Sequence, residues 1–144
     1  MDSPFFANGG IFLILFLKET LFEAISFNDD GCLPIFSINS QLNKLATKYL
    51  FSISSYKSSV KKILFLKNKI PLYFSDSLFF FYLREKDSSR YYINYFSILK
   101  ICYSDMIVII FKNGFILRLN VAKKVVASEL KKIETILNYV NNLC

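Results

Sequence analysis

Two rhythms of apolar and polar positions divide this chain into strands and helices. The clearest is helical. Val126, Leu130, Ile133, Leu137 and Val140 recur at intervals of 4, 3, 4 and 3. That spacing predicts a helix over residues 121–141 with one apolar stripe, leaving Lys123, Lys124, Lys131, Lys132 and Glu134 on its other faces. A stripe this short is expected to pack on the protein's own sheet rather than form a coiled coil. Leu42, Leu45, Tyr49 and Leu50 share a face over residues 41–50, with Ser40 placed to cap that helix. After Ser54-Ser55, Val60, Ile63 and Leu64 mark a weaker helical face, and residues 65–69 read as an exit toward the next strand.

The other segments read as strands separated by turn residues. Asn8-Gly9-Gly10 precedes an apolar run at 11–17, and Asp29-Asp30-Gly31 precedes a short strand at 33–38, where Pro34 suits a strand start or an edge. Pro71 stops any helix, and residues 70–74 and 78–83 pair around Ser75-Asp76-Ser77. A polar loop over 84–90 leads to extended segments at 91–96 and 98–101. Residues 106–111 and 115–119 flank Lys112-Asn113-Gly114, and Asn-Gly between apolar runs predicts a hairpin with a type I′ turn. The expected fold is α+β: an antiparallel sheet or meander with a short central helix and a packed C-terminal amphipathic helix. With no internal repeat and no linker-like stretch, residues 1–144 read as one domain.

Composition narrows the chemistry. At 53% hydrophobic, the chain is neither disordered nor a coiled-coil rod. It has no His, which excludes the Ser/His/Asp and Cys/His nucleophile systems and most zinc sites. Asp29-Asp30 is the only adjacent acidic pair and lies in a turn, while Glu85 and Asp87 sit among Arg84, Lys86 and Arg90 as a self-neutralised loop. No Gly-rich phosphate loop or metal-ligand spacing is present, so neither an enzyme nor a cofactor is expected. Cys32, Cys102 and Cys144 form no C-x-x-C pair and read as reduced, buried or terminal thiols. The apolar runs at 11–17 and 78–83 are far short of the about 20 residues a membrane helix needs. No base precedes Lys18, unlike a signal peptide, so a cytoplasmic protein is expected.

Charge changes the picture most. The 18 Lys+Arg and 11 Asp+Glu give +7, a figure that AT-rich codons alone could produce. Its distribution is another matter. Residues 1–30 carry −4 and residues 31–144 carry +11. Between 31 and 75 stand Lys44, Lys48, Lys57, Lys61, Lys62, Lys67 and Lys69 with no acid at all. Codon bias raises Lys but does not remove Asp and Glu. An unbalanced lysine segment suits a polyanion, because each neutralised phosphate releases counterions. Ser54 and Ser55, with Ser52, Ser58 and Ser59, add hydroxyls suited to phosphate contacts. Charge alone does not separate DNA, RNA and an anionic membrane surface.

The order of motifs resembles the competence transcription factor family ComK. Ser54-Ser55-Tyr56 runs into Lys57, Lys61 and Lys62; Lys69-Ile70-Pro71-Leu72 and Phe79-Phe80-Phe81 follow; then come Tyr92-Ile93 and the hairpin Phe111-Lys112-Asn113-Gly114-Phe115-Ile116-Leu117-Arg118-Leu119. The resemblance covers about residues 47–137. It implies a transcriptional activator of competence and DNA-uptake genes that contacts AT-rich double-stranded DNA through the minor groove as a homo-oligomer. A proteolysis adaptor is a further implied partner, although the chain stops at Cys144 without the family's basic tail. Ile53 stands where the family tends to carry Gly, and Tyr92 where it carries Trp. On this reading the DNA-binding residues are Lys44, Lys48, Ser54, Ser55, Lys57, Lys61, Lys62, Lys67 and Lys69. The alternative is a small pleckstrin-homology-like module that binds lipid headgroups or a protein partner. Lysines around a barrel mouth would favour it, and lysines along an extended face or groove would favour DNA.

Overall fold

A computed structural model describes residues 13–143. Strands β1 (Ile14–Glu19), β2 (Ala24–Asn28) and β3 (Gly31–Ile35) form a first meander, followed by helices α1 (Ile38–Lys48) and α2 (Ile53–Leu64). A second meander, β4 (Leu72–Ser75), β5 (Leu78–Arg84) and β6 (Arg90–Asn94), leads through a 3-10 turn at Tyr95–Ser97. A third follows, β7 (Ile98–Tyr103), β8 (Ile107–Phe111) and β9 (Ile116–Leu119), and α3 (Lys123–Asn141) closes the chain. The first two meanders join through antiparallel β1–β6 pairing into one six-stranded sheet, β3-β2-β1-β6-β5-β4. The third is a separate sheet, β7-β8-β9. The class is α+β, as expected, with two central helices in place of one.

The six-stranded sheet is buried on both faces along β1 and β5. Along β5, Leu78 and Phe80 join Ile38, Leu42, Leu45 and Ala46 of α1, while Phe79, Phe81 and Leu83 join Ile107, Ile109 and Phe111 of β8 and Val126, Ile133 and Ile136 of α3. Burial on both sides explains why β5 reads as an unbroken apolar run rather than an alternating one. In β1 a bulge between Ile14 and Phe16 turns Leu15 and Phe16 to the same side. Phe16 then stacks on Phe27 at 4.5 Å and on Phe111 at 5.6 Å, bonding the two sheets face to face.

Several local expectations are corrected. Ser37, not Ser40, caps α1, its hydroxyl accepting from the Ser40 N–H at 3.0 Å. Ile38 therefore opens a helix instead of ending a strand, and its N–H donates to Glu19 Oε1 at 2.7 Å. Leu50 leaves the apolar face because the chain turns left-handed there, φ 55°, which separates α1 from α2. Ser52 starts α2 by accepting from the Ser55 N–H. Only Gly114 has positive φ in the β8–β9 turn, so the loop is a three-residue connection rather than type I′. Asn113 acts through its side chain instead, accepting from the Phe115 N–H and donating to the Asp29 carbonyl.

On α3 the most buried positions are Val126, Glu129, Ile133 and Ile136, with Leu130, Leu137 and Val140 beside them, because the helix seats on a flat sheet rather than a narrow seam. Cys32 is exposed, standing on the edge strand β3, where Pro34 also lies as expected. The Asn8-Gly9-Gly10 turn and Cys144 fall outside the described residues. No described helix is long and apolar enough to cross a membrane.

At the junction of the sheets lies Asn94, fully buried. Its side-chain NH2 faces the Ile14 carbonyl at 2.8 Å, the Ser77 carbonyl at 2.9 Å and Ser97 Oγ at 2.9 Å. Its carbonyl accepts from the N–H groups of Phe79 and Phe96. Asn94→Ala is expected to lower unfolding free energy by about 3 kcal/mol or more, because several buried backbone groups lose their partner together. Urea denaturation measures this, and a loss near zero would remove Asn94 from its central place.

Candidate polyanion-binding surface

The sequence leaves α2 amphipathic. Tyr56, Val60 and Leu64 pack into the core, so residues offset by about half a turn must face outward. Ser54, Lys57, Ser58 and Lys61, spaced 3, 1 and 3, fall on one outward stripe. With Ile53 and with Asn43 of α1 they line a cleft of about 580 Å³ between the two helices. Lys62 lies one position beyond that stripe on the same helix, and Lys44 follows Asn43 on α1; both are exposed. Lys48 is exposed near the end of α1.

The structure thus gathers Ser54, Lys57 and Lys61 in one cleft, with Lys44 and Lys62 adjacent. Ser55 stands in the first turn of α2, its N–H committed to the Ser52 cap. Lys67 and Lys69 lie outside the cleft, in the connection to β4, and Lys69 Nζ sits 4.8 Å over the Tyr82 ring. Sequence reasoning missed Asn43 and passed over Ser58 as a cleft residue. The four-residue step from Ser54 was the signal for Ser58, whereas Asn43 needed the helix–helix crossing.

Electrostatics sharpen the surface. Lys44, Lys57, Lys61, Lys62 and Lys67 make no ion pair among the described residues. Three carboxylates are occupied elsewhere. Glu19 pairs with Arg90 and caps α1, Glu85 accepts from the Tyr91 hydroxyl and the Asn120 N–H, and Glu129 pairs with Lys132. Burial raises the Glu129 pKa, opposed by Lys132. No described group of acids and thiols could hold a metal ion.

One phenol fixes this surface to the fold. Tyr56 donates to the Pro71 carbonyl at 2.7 Å and accepts from the Tyr73 N–H at 3.2 Å. Pro71 precedes β4, the sheet's outer strand, and Tyr73 lies within it, so the phenol covers backbone groups that an edge leaves open. Burial pushes the Tyr56 pKa up to about 12, against the opposing bond from Tyr73. Compared with known proteins, the chain matches no family model, no curated protein and no solved structure.

Tyr56→Phe is expected to cost about 1–3 kcal/mol in urea unfolding, because the Pro71 and Tyr73 groups lose their partner. The pH dependence has a defined sign. A folded pKa above the unfolded value of 10.0 gives stability that is complete below pH 10 and is lost as pH rises toward 12. The difference between wild type and Tyr56→Phe should therefore narrow over that window. A constant difference would show that the phenol does not titrate with the fold.

Proposed function

We propose that the protein binds double-stranded DNA through the outer surface of α1 and α2, with Lys57 and Lys61 in the cleft and Lys44, Lys48 and Lys62 beside it. The carrying observation is the cleft lined by two unneutralised lysines and two serines. Ammonium groups without a protein counter-ion are free to displace condensed cations from phosphates, and hydroxyls supply the positioning contacts. Two features support DNA over a lipid surface. The apolar face of α2 is committed to the core, whereas a helix that lies in a bilayer interface needs that face free. The lysines also lie along two successive helices, and the six-stranded sheet has distinct outer strands, β3 and β4, rather than a barrel mouth. The second feature counts against the headgroup-binding module as well.

The resemblance to ComK adds the regulatory role: activation of competence and DNA-uptake genes from AT-rich sites. A narrow, strongly negative A·T groove attracts lysines with little need for base-specific side chains. α2 is about 18 Å long at 1.5 Å per residue, which spans only about five base steps. A homo-oligomer would extend that footprint.

Titration of an AT-rich duplex at increasing salt tests the proposal. Affinity should fall steeply with salt. Replacing Lys57, Lys61 and Lys62 together by Ala should weaken binding and reduce the log–log salt slope by about 2–3, near 0.9 per lost phosphate contact. An affinity that ignores salt, or that survives the triple substitution unchanged, would overturn it.

A further inference from the structure

Each helix bearing these lysines ends in the same unusual way. Leu50, just past the α1 cap, and Phe65, the cap of α2, adopt left-handed backbone with φ 55° and 58°. That position at a helix end favours Gly, or Asn, because a Cβ crowds the backbone there. Bulky side chains are disfavoured in it. Both side chains also project into solvent, Leu50 at 95% and Phe65 at 81% exposure. Neighbouring Phe51 shows that an apolar residue here can turn inward: its ring packs on Tyr56 at 5.2 Å and on Phe74 at 5.0 Å. Nor does codon usage force the choice. Asn68, three residues after Phe65, takes φ 49° with a residue suited to it.

Leu50 and Phe65 therefore oppose the fold twice, in backbone energy and in exposed apolar surface, and neither forms part of a core cluster. A side chain placed so is explained by a partner it enters. Charge selects the partner. Lys48 stands two residues before Leu50, and Lys61, Lys62 and Lys67 surround Phe65 in the chain. Isolated apolar tips among lysines match a polyanion with an apolar interior, which is a stacked nucleic acid duplex. Proteins that kink DNA insert Phe or Leu between base steps and use cations to hold the flanking phosphates.

We propose, on the reading of the α1–α2 surface given above, that Leu50 and Phe65 are wedges that enter between base steps of the bound duplex and unstack them. They bracket α2, with roughly 20 Å between them by helix rise, or about six base steps. The wedges favour pyrimidine–purine steps such as TA, which unstack most easily.

The test uses an AT-rich duplex with 2-aminopurine at a TA step, titrated at low salt with the full chain. Wild type should raise 2-aminopurine fluorescence several-fold as the base unstacks. Leu50→Gly/Phe65→Gly should keep or raise Tm, since Gly suits both backbone positions, while losing that rise and weakening binding about tenfold or more. Phe22→Ser, at an equally exposed Phe in the β1–β2 connection, is the control and should change neither signal. Phe65→Trp supplies a second readout, because the chain has no other Trp; stacking on bases should quench it.

Binding with flat 2-aminopurine fluorescence and an unquenched indole overturns the wedges and leaves the lysine surface standing. No binding to any duplex removes both. Sedimentation with phosphatidylglycerol vesicles that depends on Phe65 would also overturn the proposal, assigning the tips to lipid.

Discussion

The side chain of Asn94 bonds at once to β1, to the β4–β5 turn, to β5 and to the 3-10 turn that opens the smaller sheet. No apolar group can do this. The chain must leave the six-stranded sheet at β6 and begin another sheet only four residues later. Such a departure interrupts the ladder and strands backbone groups in an apolar interior, where each unpaired group costs about 1–3 kcal/mol. An amide offers two donors and an accepting oxygen on one short stem, and Ser97 adds a hydroxyl bonded to the same Ile14 carbonyl. The position of the smaller sheet, and with it the seat of α3, depends on this polar joint.

From there the fold extends outward to the lysine-bearing helices. Asn94 holds the Ser77 carbonyl of the β4–β5 turn, β4 runs back from that turn, and its backbone meets the Tyr56 phenol on α2. α2 is thus fixed by a hydrogen-bonded edge and by an apolar stripe, while its opposite face remains in water. The proposed polyanion surface is what is left of α2 after the core has taken its share of side chains.

The strands were legible because turn chemistry and apolar runs are local. Asp29-Asp30-Gly31, Ser75-Asp76-Ser77 and Asn113-Gly114 each mark a real reversal. The helix starts were less legible. Ser37 and Ser40 are equally good caps by type, and the carboxylate of Glu19, far back in the chain, helps decide between them. Asn94 was invisible as a joint, since a single Asn in an aromatic stretch gives no sign of its three distant partners, Ile14, Ser77 and Phe79. The lysine segment was legible as charge but not as geometry. The grouping of Ser54, Lys57 and Lys61 depended on where Ser52 starts α2, and the separation of Lys67 and Lys69 on where the connection to β4 turns.

The lysines of α2 have a thermodynamic consequence of their own. Lys57 and Lys61 are like charges one helical turn apart, and such a pair destabilises a helix by about 0.2–0.5 kcal/mol. With no acid between residues 31 and 75 to offset them, α2 carries a standing repulsion. Added salt relaxes it in part by screening. A bound polyanion relaxes it more fully, by meeting the charges themselves. The order of α2 is accordingly linked to its ionic surroundings, and a polyanion bound to it would tighten the helix.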